Sequence, residues 1–489
     1  MRRVRRTRIT GGCTAVALVL ALGTFGTTVA TAQPGSPGTM EPPRLIQYEG
    51  FENAPPATDQ FVQTLADYPN DGPITVPGYV GATGETYGAD PQWNGQYCNG
   101  LIVSAVDSDD VPAAPQSTDC SAGGWHSSRS LAHTLGLWAE NSDYPYSELP
   151  SRDALSNHAV TAYTEGDSPA GMMLETEIRP ALVQAGHYYS ASIDLAQANC
   201  WTTNPVALAI ALSSGGTSID VFPGPVDVCD LPVHQLNGDN VGTFVGIASI
   251  LTTGSDLELA IRNDLGGGGG DDNAYDNIAV LDTTPKLDLI LAQGPDDGDY
   301  AVGSSARVAL TVTNTHLAGF PLLPSGPKHG WSFSVTLPDG LVVADDPRAE
   351  TDCPVGTISG RGGEITGTGD LTAITASCDL SIDVTSTRAG SYVLSSASVD
   401  RVGLLAPADA AVTFVGPAVT PSPTPTNTVP TATPSGAPTD DENSTTDASS
   451  MLPPMGAPWS PTIIIAVGLI AAGWALLRRP LSGHGRRQE

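Results

Sequence analysis

Between residues 45 and 282 apolar side chains recur at every second position, in short runs broken by Gly, Pro, Asn and Asp. Typical runs are AVTAYTE (159–165), MLETEI (173–178), YYSASIDLA (188–196), VALAIAL (206–212) and LELAIRN (257–263). A period of two puts alternate side chains on opposite faces of a strand, so the pattern predicts many short strands and an all-β sandwich. One stretch departs from it. SSRSLAHTLGLW, residues 127–138, has helical spacing, with Ser at its start and Gly136 near its end, and predicts the one helix of this region.

A second β region starts near residue 284. In residues 378–385 Cys378, Leu380, Ile382 and Val384 alternate with Asp379, Ser381, Asp383 and Thr385, which predicts a strand with one buried and one wet face. The length to residue 416 suits one immunoglobulin-like sandwich. Residues 417–458 then lose all periodicity. Their TPSPTPTNTVPTATPSGAPT core is rich in Pro and Thr, the composition of a disordered, extended stalk.

The two ends of the chain carry continuous apolar runs of a different kind. Residues 1–32 begin with Arg2, Arg3, Arg5, Arg6 and Arg8, continue apolar and close on Ala30-Thr31-Ala32, the layout of a secretory signal peptide. Residues 459–477 include TIIIAVGLIAAGWALL and approach the roughly 20 residues that span a bilayer. Arginines in residues 478–489 place that tail in the cytoplasm. The expected organisation is thus a signal peptide (1–32), a jelly-roll sandwich (45–283), an Ig-like sandwich (284–416), a stalk (417–458), a membrane anchor (459–477) and a basic tail (478–489).

Charge sharpens this picture. Nine of the 21 Lys and Arg lie in the two end segments, which leaves 12 basic against 51 of the 52 acidic side chains, a net of about −39. Such a surface repels nucleic acid and anionic headgroups, so a nucleic-acid partner is excluded. Of seven cysteines, Cys13 falls in the signal peptide. The other six form local couples, Cys98 with Cys120, Cys200 with Cys229 and Cys353 with Cys378, and export makes three disulfides the natural reading although fifteen connectivities are formally open.

Residues 266–285, GGGGGDDNAYDNIAVLDTTP, crowd carboxylates beside five glycines. A phosphate loop would lead into a helix with a Lys; these glycines lead into a strand. A calcium site and plain turn chemistry remain. Trp93, Trp125, Trp138, Trp201, Tyr144 and Tyr146 are candidate platforms for stacking sugar rings, or core residues. Ser168, in EGDSP, precedes Pro169 and another strand, where a hydrolase nucleophile needs a strand-to-helix turn, so no catalytic residue is assigned. His126 and His133, seven apart on the helix, lack metal-ligand spacing.

The segment from TPKLDLILAQGPDDGDYAVGSSARVALTVTNT through FSVTLPDGLVVADD to ASCDLSIDVTSTRAGSYVLSSASV resembles the Ig-like repeats of bacterial cell-surface proteins. That resemblance implies a spacer or adhesive module without an active site. YEGFENAP (48–55) and DDNAYDNIAVLD (271–282) resemble the first and last strands of galactose-binding-like jelly rolls. Their fold holds a structural calcium between those strands, which implies Glu52, Asp272 and Asp276 as metal ligands here. Leu452, Pro453 and Gly456 of LPPMG resemble an LPxTG sorting signal, with Met455 in the place of its Thr. Scarce Lys and abundant Arg, Ala, Gly and Thr are similar to actinobacterial surface proteins. The function expected is a non-enzymatic, surface-anchored protein that binds a carbohydrate or matrix ligand through its jelly-roll head. A structural envelope protein and a secreted hydrolase are the rivals.

Overall fold

The computed structural model describes residues 36–52, 54, 62–68, 87–105, 113–116, 118–146, 153–163, 170–200, 206–230, 233–266, 272–291 and 299–416. The expected signal peptide, stalk, anchor, tail and LPPMG segment, with Ser168, Trp201 and Asp271, lie outside them. Among the described residues no helix is long and apolar enough to cross a membrane.

The first half is predominantly β. Its strands are β1 (Arg44–Glu49), β2 (Gln63–Thr64), β3 (Cys98–Ser104), β4 (His158–Tyr163), β5 (Gly171–Glu177), β6 (Tyr188–Gln197) and β7 (Leu208–Ser214). After these come β8 (Thr217–Asp220), β9 (His234–Leu236), β10 (Asp239–Val245), β11 (Ile250–Leu251), β12 (Glu258–Asn263) and β13 (Asn273–Asp282). They form a nine-stranded sheet, ordered β2-β3-β4-β13-β6-β10-β9 with β1 on β13 and β11 on β6, and a four-stranded sheet, β5-β12-β7-β8. Tyr189, Ala191, Ile193 and Leu195 of β6 join Leu174, Leu208, Ile210 and Ile261 in the core between the sheets.

The one α-helix among the described residues, α1 (Ala122–Ala139), covers the other face of the large sheet through Trp125, Leu131, Leu135 and Trp138. It starts five residues before the sequence expectation. Ser121 is its N-cap, its hydroxyl accepting from Gly124 N at 3.0 Å, and the Gly pair that reads as loop forms the first turn. Gly136 does not end the helix. A Cβ there would lie 2.6 Å from Ala154 O, so the glycine marks close backbone approach.

Because both faces are covered, every residue of β6 and β13 is buried. The alternate positions of β6, Tyr188, Ser190, Ser192 and Asp194, face away from the sheet-to-sheet core, and all four are nearly or fully inaccessible. In β13 the pairing shifts register after Asp276↔Asp194, and Asn277 adopts φ 51°. This is a β-bulge whose extra residue takes the left-handed conformation Asn tolerates.

The second half is a β-sandwich around one core. Its strands are β14 (Lys286–Leu291), β15 (Tyr300–Ala301), β16 (Ser305–Thr313), β17 (His316–Leu317), β18 (Phe320–Pro324), β19 (Lys328–Thr336) and β20 (Val342–Val343). The remainder are β21 (Glu350–Thr351), β22 (Thr357–Arg361), β23 (Glu364–Leu371), β24 (Ser377–Thr385), β25 (Gly390–Leu394), β26 (Val399–Val402) and β27 (Ala410–Val415). One sheet runs β14-β16-β24-β20, with β21 on β24; a second runs β22-β23-β19-β26; a third runs β15-β27-β25. Trp331 and Phe333 of β19 lie over Gly369 and Gly367 of β23, their cross-strand partners, where a Cβ would come within 2.5 and 2.3 Å of the rings. The wet face expected for β24 holds at Asp379 but not at Asp383, which is fully buried and paired with Arg307 and Arg348.

The boundary at residues 283 and 284 is a packed seam rather than a linker. Gly403 N donates to Gly186 O at 2.7 Å, Tyr188 Oη to His329 O at 2.6 Å, and His316 N to Glu41 O at 2.9 Å. Gly326, at φ 95°, passes so close to Ile247 O that any Cβ would overlap it. Both sandwiches accordingly belong to one compact unit.

Candidate functional site

Two polar assemblies stand out, one sealed beneath α1 and one open at the seam. The sealed one is organised by Asp194 on β6. Its carboxylate accepts from Thr243 Oγ1 at 2.5 Å and Asn277 Nδ2 at 2.7 Å. Thr243 in turn accepts from Trp138 Nε1 of the helix at 2.9 Å, and Tyr48 Oη donates to Asn277 Oδ1. Asp276, paired with Asp194 across the sheet, accepts from Asn157 Nδ2 at 3.0 Å and from Asn277 N at 2.6 Å. Asn157 also donates to the helix carbonyl of Ala132. Burial pushes Asp194 up to about 7, against the hydrogen bonds that favour its charge. Burial, then the nearby Asp194 charge, also raises Tyr144.

The three residues implied as calcium ligands are all in this half but are not gathered into one site. Glu52 accepts from His158 N at 3.1 Å and sits 3.0 Å from His158 Nδ1. Asp276 lies under the helix with Asn157, and Asp272, at the start of β13, accepts from Asn199 Nδ2 at 2.9 Å. Among the described residues, the one trio of metal-ligating atoms mutually within 4.8 Å is Asp352, Cys353 and Cys378. Its cysteines are joined as a disulfide, so they offer no thiolate. Glu52, Asp272 and Asp276 each accept from a protein donor in the geometry seen.

The disulfides join Cys98 to Cys120, Cys200 to Cys229 and Cys353 to Cys378. The aromatic platforms do not form: Trp93, Trp125, Trp138, Tyr144 and Tyr146 are all buried, as core or under α1. His126 is exposed and His133 half-buried.

The open assembly is a cleft of about 390 Å³ at the seam. Its floor is Asp282, the last residue of β13, whose side chain is 4% exposed. Asp282 Oδ1 accepts from Thr284 N and Oγ1, and Oδ2 takes Arg44 Nη2 at 3.1 Å and His187 Nδ1 at 2.9 Å. Burial raises this carboxyl, but the His187 and Thr284 contacts outweigh it and the net shift is downward. Lys286 Nζ, 3.1 Å from Asp288 and 3.7 Å from Glu41, forms another part of the lining. No sequence pattern flagged this place, because its residues come from five separate segments. The only signal was that Arg44 and Lys286 are two of twelve basic residues between the ends.

A family model described as a domain of unknown function (DUF7933) matches residues 300–415, inside the second sandwich. No curated protein matches the chain. Among solved structures, the chain is similar to a non-cellulosomal cohesin from Archaeoglobus fulgidus, with 15% identity over 27% of this chain and 91% of that one, TM-score 0.18. Another is the N-terminal domain of the Streptococcus gordonii adhesin Sgo0707, with 9% identity over 50% of this chain and 61% of that one, TM-score 0.23. A third is the CBM22 tandem domain of Paenibacillus barcinonensis Xyn10C, with 11% identity over 47% and 79%, TM-score 0.21.

Proposed function

We propose that this chain is a non-enzymatic surface protein, exported and held at the membrane by its C-terminal apolar segment, whose paired sandwiches bind an extracellular carbohydrate or protein ligand. The observation that carries the reading is the division of its polar chemistry. Asp194, a carboxylate strongly raised by burial, is fully enclosed beneath α1, where no substrate reaches it. The seam cleft is open, but its carboxylate and cations are already paired with one another. A general acid or base needs a group both accessible and poised for proton transfer; a binding surface needs fixed donors and acceptors.

The test is a glycan and matrix-protein array probed with the full-length protein, beside an esterase and glycosidase panel. Saturable array binding with no turnover is expected. Turnover would replace the reading with a hydrolase, and silence on both would favour a structural envelope protein.

A further inference from the structure

We propose that the seam cleft is the ligand site and that it takes a sugar carrying a carboxylate. This rests on the binding-protein reading and names the ligand class within it. Arg44 spends one nitrogen on Asp282 yet its side chain is 57% exposed, so the rest of the guanidinium fork is open to a ligand. A planar carboxylate matches that fork in a way a point charge does not. Asp282, locked by Thr284, fixes both Arg44 and His187 and is a positioning residue.

Size and polarity argue for a sugar rather than a bare carboxylate. The cleft lies in the range that encloses a small organic ligand. Beside the cations it offers Glu41 as an acceptor and Gln184 and Thr313 as partners for hydroxyl groups. Thr313 Oγ1 already accepts from Gly38 N, which leaves its hydroxyl proton to donate. No Trp, Tyr or Phe lines the cleft, so recognition runs mainly through charge and hydrogen bonds. Arg44 and Lys286 balance Glu41 and Asp282 in the lining, so the cleft repels a carboxylate less than the acidic surface around it.

The experiment is calorimetric titration of the full-length protein with glucuronate, galacturonate, glucose, galactose and acetate, repeated on Arg44→Gln, Lys286→Gln and the remote Arg361→Gln. The uronates are expected to bind at least about tenfold tighter than the neutral sugars and acetate, the scale of one lost charged hydrogen bond. Arg44→Gln should lose that preference, Lys286→Gln should weaken it, and Arg361→Gln should leave it intact. Equal binding of neutral sugars, or uronate binding indifferent to both cleft variants, overturns the proposal, as does no binding of any probe. If Arg44→Gln melts early, Lys286→Gln decides. Array ligands retained by both variants would keep the binding function and remove it from this cleft.

Discussion

Asp194 and Lys328 are ionisable groups that the fold withdraws from water, and each ties stability to pH in its own direction. For Asp194 the folded-state value, about 7, lies above the ordinary carboxylate value, so the folded state holds the proton more tightly. Its contribution is therefore fully present below about pH 4 and is lost as pH rises to 7. Urea midpoints of wild type should fall across that window relative to Asp194→Asn, by on the order of a few kcal/mol in free energy. Lys328 is fully buried, its amine donating to Ser325 O, Ser325 Oγ and Gly326 O, and burial lowers it to about 7. Here the unfolded chain holds the proton more tightly, so stability should climb from pH 7 toward 10. Lys328→Met should flatten that climb and leave the protein at least as stable at pH 7, measured by the same melts.

Strand β6 shows how far the sequence could be read. Its period of two was legible and correct, and the apolar half of the pattern names the core residues. What the pattern could not reveal is that Ser190, Ser192 and Asp194 face a helix and the seam instead of solvent, because a small polar face looks the same wet or covered. Helix α1 was visible by its spacing, and its end was placed within one residue, but its first turn, with Gly123 and Gly124, carried no helical signal. The glycines of β23 were equally silent: Gly367 and Gly369 lie under Phe333 and Trp331, a relation that exists only across strands. Gly136→Ala and Gly369→Ala should each destabilise by about 1–3 kcal/mol in chemical denaturation, since overpacking against backbone or a ring exceeds the gain in intrinsic propensity. Ser218→Ala, on the exposed face of β8, is the neutral control.

At the scale of the molecule, the predominantly β character was legible in the sequence, and the three disulfide couples it suggested are the ones that form. It also suggested a calcium clasp from residues that stand close in the first and last strands. In the fold Glu52 meets His158, Asp276 accepts from Asn157 and Asp272 accepts from Asn199. Melting of the full-length protein in EDTA and in millimolar calcium should therefore coincide; a calcium-dependent rise that Asp276→Ala abolishes would reinstate the clasp. The seam was invisible because it is built from glycines and backbone carbonyls, which carry no pattern.

The last strand gives the unit a mechanical character. β27 runs parallel to β15 and antiparallel to β25, its hydrogen bonds lying across its own axis. Drawn from Gly416 along that axis, it loads both ladders in shear, so the bonds resist together instead of parting one by one. A ligand held by Arg44 of the first sandwich and Lys286 of the second would carry that tension across the seam, so both sandwiches would bear it.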